Sequence, residues 1–241
     1  MDEKTLYEKQ YAEKKMKNNT TLPLLRAMFK KLDISREDIV LKIIDNGDKL
    51  LDVGCGNGSL VFKMGDRFKE IHGIDISDFR VKEADQISKL KHCNLVKYCF
   101  SVSNVNEGIK YQDNMFDTII CVATLEHVFD PYQLISEIYR VLRPGGVFIV
   151  EVPNIAYIKY RIGLLFGKIP ATSSVGNWEE AGWDGGHLHY FNKSRLSGLL
   201  EYSGFNLLKI TGAGLFGRVR NFYPSLLTGD LCIKCIKPGK Q

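Results

Sequence analysis

The chain has 241 residues, 44% hydrophobic and 25% charged, which suffices for one sizeable core and is short for two full domains. No apolar run approaches a bilayer span, and the charged start MDEKTLYEKQ lacks the apolar stretch of a secretory leader, so a cytoplasmic protein with no membrane span is expected. The formal net charge of +5 is interspersed with acidic residues instead of massed in a block, which gives no reason to expect nucleic acid and leaves the oligomeric state open.

In chain order, three helices are expected first, over Glu3 to Lys17, Leu22 to Leu32 and Ser35 to Ile44, the last opened by Ser35 as N-cap with Asp38 in its first turn. Apolar, strand-like runs follow near 49–53, 70–75, 95–102, 116–122 and 146–152, alternating with helices near 59–66, 79–90 and 131–142. That alternation predicts an α/β fold whose mostly parallel sheet is covered on both faces and collects ligands at its carboxyl edge. Residues 153–191 break the rhythm with glycines, aromatics and two prolines, and read as a substrate lid. A helix from Lys193 to Ser203, capped by Asn192, then leads into strands Phe205 to Thr211 and Asp230 to Lys237. The expected organisation is a single domain: a helical cap over 1–47, a cofactor core over 48–152, the lid, and a C-terminal helix with hairpin over 192–241.

The six cysteines read as reduced, packed thiols. Cys232 and Cys235 form a C-x-x-C, but within an apparent strand and with no second pair at metal-ligand spacing, so no zinc or redox role is expected there.

The most informative stretch is Leu50-Leu51-Asp52-Val53-Gly54-Cys55-Gly56-Asn57-Gly58, a strand running into a glycine turn. Glycine admits positive φ and close backbone approach, and a helix starting near Ser59 would aim its N–H groups at a ligand. The next strand ends at Asp75, a carboxylate suited to two ribose hydroxyls. The spacing is G-x-G-x-G, without the third-glycine spacing of dinucleotide folds.

LDVGCGNGSL followed by HGIDIS resembles the first two motifs of class I S-adenosylmethionine-dependent methyltransferases, and Phe116 to Val122, Leu125-Glu126-His127-Val128 and Leu142-Arg143-Pro144-Gly145-Gly146 continue the likeness over about residues 48 to 153. The resemblance implies a Rossmann-like, seven-stranded sheet with an antiparallel edge hairpin and S-adenosyl-L-methionine as cofactor. It places Asp52, Gly54, Gly56 and Gly58 at the methionine end, Asp75 at the ribose and Asn104 at the adenine, with Cys55, Ile76, Val105 and Val122 also among the cofactor-binding residues. Asn104 stands where the family often has an Asp against the adenine, and its amide oxygen can still accept a hydrogen bond.

Methyl transfer to a hydroxyl needs positioning and removal of a proton. His127, with an unperturbed pKa suited to neutral pH, and the pair His187 and His189 in Gly185-Gly186-His187-Leu188-His189-Tyr190-Phe191 are the candidate catalytic residues, with wall-lining and lid packing as the competing roles. Some quinone-biosynthesis O-methyltransferases place a metal on an acidic residue three before the Glu together with the Glu-His pair; Ala123 occupies that position, so no metal is expected.

The GHLHYF-like stretch resembles a branch that includes sugar and surface-glycan methyltransferases. Tyr157, Tyr160, Trp178 and Trp183 could floor a sugar or ring, and Lys159, Arg161, Lys168, Arg218 and Arg220 suit an anionic acceptor. The favoured acceptor is therefore a small polar molecule such as a sugar or a phosphorylated or nucleotide-linked intermediate of glycan biosynthesis. A quinone or phenol ring is the alternative acceptor; an NAD-dependent oxidoreductase and a silent cofactor-binding module are the alternative functions.

Overall fold

A computed structural model describes residues 33–91, 95–173, 186–215 and 220–239. The strands are β1 (Asp33–Ile34), β2 (Gly47–Val53), β3 (Phe68–Asp75), β4 (Lys97–Val102), β5 (Phe116–Val122), β6 (Leu142–Pro153), β7 (Asn206–Leu215) and β8 (Asp230–Ile236), and the helices α1 (Arg36–Ile43), α2 (Asp78–Leu90), α3 (Pro131–Val141), α4 (Ile158–Leu165), α5 (Lys193–Tyr202) and α6 (Pro224–Leu227). The strands form one sheet in the order β1-β7-β8-β6-β5-β2-β3-β4. β4, β3, β2, β5 and β6 pair in parallel, and β8 enters antiparallel between β6 and β7. The seven expected strands and the edge hairpin are thus present, with the two-residue β1 added antiparallel on β7.

Local chemistry sets the helix starts. Ser35 Oγ accepts from the Asp38 N–H at 3.1 Å while Asp38 Oδ2 accepts from the Ser35 N–H at 3.2 Å, a reciprocal capping box. Asp130 caps α3 through the N–H groups of Tyr132 and Gln133, with Pro131 supplying a fixed φ at the first helical position. α3 then buries Leu134, Ile135, Ile138 and Val141, an i, i+1, i+4, i+7 stripe on the sheet. The central strands are apolar on both sides because both faces are covered: Leu51, Val53, Ile119 and Cys121 pack on the α3 and α5 side, Leu50, Ile71 and Ile120 on the α1 side. Cys232 and Cys235 lie in these two opposite layers, so the C-x-x-C cannot converge on one ion.

The helix expected near 59–66 does not form; a 3-10 turn over Val61–Lys63 stands there. Gly58 and Gly65 bracket it with φ of 76° and 64°, leaving too few residues for a helix and ending the attempt in the left-handed region. The lid begins with a helix, α4, that the sequence reading did not place, and Asn154 bridges to Phe191 across its ends. The two expected helices before Leu32, Cys93, Trp178, Trp183, Gly185 and Arg218 lie outside the described residues.

Candidate active site

β2 ends at Val53 and the chain turns through Gly54 and Gly56, with φ of 80° and 53°. The N–H groups of Gly54 and Cys55 both bond the Ile74 carbonyl, which pins the turn to the end of β3. A Cβ on Gly54 would drive into the Thr124 side chain, so this position needs glycine for space as well as for φ. Asp75, the last residue of β3, is 7% exposed; its Oδ2 accepts from the Gly56 N–H at 2.8 Å and its Oδ1 from the Ser77 N–H at 2.9 Å. Burial raises its pKa and these two donors pull it back.

A cleft enclosing about 590 Å³ of empty space, its open mouth included, lies over the carboxyl ends of β2, β3, β4 and β5. Gly54, Asp75, Ile76, Asn104 and Val105 line it, joined by Ser103, Asn106, Thr124 and His127, which sequence reasoning either missed or placed with the acceptor. Asp52, Cys55, Gly56, Gly58 and Val122 do not line it. Gly56 acts one step back by holding Asp75, and the Cys55 side chain packs towards Gly73. Asp52 is 2% exposed and burial, with Asp75 second, pushes its pKa to about 8. The Asn104 side chain caps the turn Val105–Glu107, accepting from the Asn106 N–H at 3.0 Å.

Two features of this wall are compatible with an adenosyl ligand. Each Asp75 oxygen has taken one N–H and keeps acceptor capacity for one of two adjacent ribose hydroxyls. The Ser103 hydroxyl is buried in the wall with no hydrogen-bond partner among the described residues, a group that a polar ligand would complete.

Beyond β5 the backbone makes an unusual turn: Ala123 has φ of 51°, held by its N–H on the Glu151 carbonyl at 3.1 Å. The turn throws Glu126 inwards and His127 onto the cleft wall. His127 Nδ1 lies 3.1 Å from the Gly186 carbonyl and its ring centroid 4.7 Å from that of His187. His187 Nδ1 meets Thr172 Oγ1 at 2.6 Å and its Nε2 faces Glu126 Oε1 at 3.9 Å. The N–H groups of Leu188 and His189 bond the Glu126 carbonyl and clip this part of the lid to the turn. Of the three candidate histidines, then, His127 and His187 meet, while His189 Nε2 turns to the Phe129 carbonyl at 3.2 Å.

Glu126 is 1% exposed and burial pushes its pKa to about 8. Behind it stands Glu151, fully buried and with neither carboxylate oxygen hydrogen-bonded among the described residues; burial drives its pKa well up, and Arg36 of α1 is the strongest opposing charge. Glu151 and Arg36 were not singled out from sequence; the signal was Glu151's place at the carboxyl end of an otherwise apolar strand. Of the aromatic and basic lid residues, Arg220 donates to the Tyr157 hydroxyl at 3.0 Å and Arg161 to the Ala156 carbonyl at 2.8 Å, and neither lines the cleft.

The family described as "Methyltransferase domain" matches residues 44–182, more than half of the chain. The chain belongs to this methyltransferase family. S-adenosylmethionine is the family's methyl donor. The mitochondrial ubiquinone biosynthesis O-methyltransferase of Bos taurus is 25% identical over 172 residues, 69% of this chain and 44% of that protein. The ubiquinone biosynthesis O-methyltransferase of Idiomarina loihiensis is 26% identical over 177 residues, 73% of this chain and 68% of that one. The match thus spans less than half of the cattle protein. The magnesium protoporphyrin IX methyltransferase of Synechocystis PCC 6803, solved with bound SAH, shares the fold at a TM-score of 0.65 and 15% identity over 97% of this chain and 95% of that one. Among the described residues no helix is long and apolar enough to cross a membrane.

Proposed function

We propose that this methyltransferase domain transfers the methyl group of S-adenosylmethionine to a hydroxyl of a phenolic or quinone-type ring. Asp75 would take the ribose, Ser103 and Asn104 the adenine side, and Asp52 and the Gly54 turn the methionine end, directly or through water. The observation that carries the acceptor assignment is the Glu126-His127 pair on the turn after β5, with His127 on the cleft wall and His187 against it.

Acidity favours a ring hydroxyl over a sugar. A phenol ionises near a pKa of about 10, whereas an alcohol lies towards the ~15.7 of water, and an imidazole of pKa about 6.5 bridges the first gap far more readily. The relatives point the same way, since the proteins of Bos taurus and Idiomarina loihiensis are ubiquinone biosynthesis O-methyltransferases. The glycan preference drawn from the GHLHYF-like stretch therefore gives way: His187 and the backbone of Leu188 and His189 are engaged with Glu126, which is lid docking and carries no sugar-specific contact.

Methyl-labelled S-adenosylmethionine offered with 3,4-dihydroxybenzoate, with an alkylated analogue of it and with a panel of nucleotide sugars tests this reading. Label is expected on a ring oxygen. Label on a sugar and on neither ring compound would overturn it.

A further inference from the structure

The amino halves of β3 and β4, away from the cleft, bring three donor side chains together. Residues two apart on a strand share a face, and a registered neighbour on the next strand shares it with them. Glu70 and His72 stand two apart on β3, and Cys99 of the edge strand β4 is the registered partner of His72. One donor atom from each of the three lies within 4.8 Å of the other two. Zinc holds sulfur at about 2.3 Å and nitrogen or oxygen at about 2.0–2.2 Å, which spaces tetrahedral donors roughly 3.3–3.8 Å apart, so side-chain shifts of about an ångström close this group around an ion.

The His72 ring is already held for ligation. It meets the rings of Tyr111 and Phe116 edge to face, at centroid distances of 5.2 and 5.3 Å. Its Nδ1 lies 3.1 Å from the Tyr111 hydroxyl, which can accept the Nδ1 proton and leave the ring's lone pair on Nε2. Metal-bound imidazoles characteristically hold their second nitrogen in this way, which fixes tautomer and orientation. The residue is 7% exposed, and Nε2, although 3.1 Å from Glu70 Oε1, approaches it off the ring's donor direction and makes no hydrogen bond among the described residues. A buried ring nitrogen left so, between a carboxylate and a thiol, is a group that a cation completes. Cys99 is a reduced, partly exposed thiol, which gives an ion a way in.

Two lysines attend the same carboxylate: Lys97 Nζ lies 2.7 Å from Glu70 Oε1 and Lys49 Nζ 3.4 Å from Oε2. Their side chains are 70% and 43% exposed and can turn into water. Glu70 with a Cys99 thiolate carries the charge that balances a dication, so the completed site turns no net charge on those ammonium groups. Thiolate and imidazole select zinc over magnesium or calcium.

We propose that Glu70, His72 and Cys99 form a zinc site that fastens the edge strand β4 to β3. Water takes the fourth position, and the Cys99 thiol gives its proton to solvent as the ion binds. None of the three residues lines the cleft, so the site is independent of which acceptor the domain methylates.

The full chain, reduced and stripped with a chelator, is titrated with Zn2+ and with Co2+. About one equivalent of Zn2+ is expected, and Co2+ should add thiolate-to-cobalt absorption in the near ultraviolet. Cys99→Ser is expected to abolish that band and weaken Zn2+ binding more than tenfold, and Tyr111→Phe to weaken it by about tenfold. Lys97→Ala removes the ammonium that competes for Glu70 and should tighten Zn2+ binding by about threefold. Zn2+ should also slow hydrogen exchange of the β4 amides in the wild type and not in Cys99→Ser. Equal affinity for S-adenosylhomocysteine in the wild type and Cys99→Ser reports an intact fold. Less than half an equivalent of Zn2+ in the wild type, a near-ultraviolet band that survives Cys99→Ser, or binding no tighter in Lys97→Ala would overturn the site.

Discussion

Asp75 and Asp52 are 23 residues apart in sequence and both buried, yet burial serves different ends in them. Asp75 is held by the Gly56 and Ser77 N–H groups and lines the cleft, so its charge is partly compensated before any ligand arrives. Replacing it with alanine takes away the two ribose hydrogen bonds proposed for it and the anchor of the glycine turn. S-adenosylhomocysteine affinity is expected to fall by about 2–4 kcal/mol, on the order of a hundredfold, by calorimetry. Asp52 has a pKa of about 8, so it is largely protonated at pH 7. If the cofactor's ammonium pairs with it as proposed, the pKa falls on binding and a proton leaves. Calorimetry in buffers of different ionisation enthalpy should show up to one proton released near pH 7, little above about pH 9, and none in Asp52→Asn. A pH-independent binding heat corrected for buffer would remove Asp52 from the site.

Elements of the fold differ in how plainly the sequence announced them. The glycine turn with Asp75 was legible because its parts are contiguous and each residue type has one dominant reason to be there: positive φ for Gly54 and Gly56, a strand-end carboxylate for Asp75. The helix expected after the turn rests on a mostly apolar stretch, Leu60 to Met64 with Lys63 within it, against which the two bracketing glycines carry the decision. The meeting of His187 with Glu126 had no local signal at all, since it is made by a lid returning to the turn after β5. The left-handed backbone of Ala123, which aims Glu126 inwards, is equally invisible in an alanine. Elsewhere a register pair decides behaviour. Glu70 of β3 lies opposite Lys97 of the edge strand β4, bonds it at 2.7 Å and also faces His72, and the Lys97 hydrogen bond leads in lowering its pKa to about 2. A depressed folded pKa means stabilisation that is fully present above the unfolded value near 4.5 and is lost as pH falls towards 2. Hydrogen exchange of the β4 amides is expected to quicken over that window in the wild type and to show a flatter response in Glu70→Gln; equal profiles would dismiss the pair as a surface contact of no consequence.

At the scale of the molecule, the last described strand closes the structure through a single cation. Lys237, 9% exposed, follows β8 and sends its Nζ back to the Tyr139 carbonyl at 2.7 Å, the Leu142 carbonyl at 2.6 Å and Asn114 Oδ1 at 3.0 Å, with the Tyr139 ring 4.6 Å beneath it. Tyr139 and Leu142 stand at the carboxyl end of α3, where free carbonyls and the negative end of the helix dipole favour a positive charge. The main chain joins in: the Gly145 N–H bonds the Lys237 carbonyl at 2.8 Å and the Lys237 N–H the Gly146 carbonyl at 3.0 Å. One residue thus ties β8 to the α3–β6 junction, on which the Phe116 end of β5 also registers through Leu142. Lys237→Met keeps most of the stem volume and the backbone bonds but strands these acceptors, a loss of about 2–4 kcal/mol, or roughly 5–15 °C in Tm for a chain of this size. Because the junction lies at the amino end of β6, across the sheet from the cleft, cofactor affinity at 20 °C should be nearly unchanged. Thermal unfolding beside calorimetry separates the two quantities: a fall in affinity with no fall in Tm would mean that Lys237 acts on the site and not on the fold.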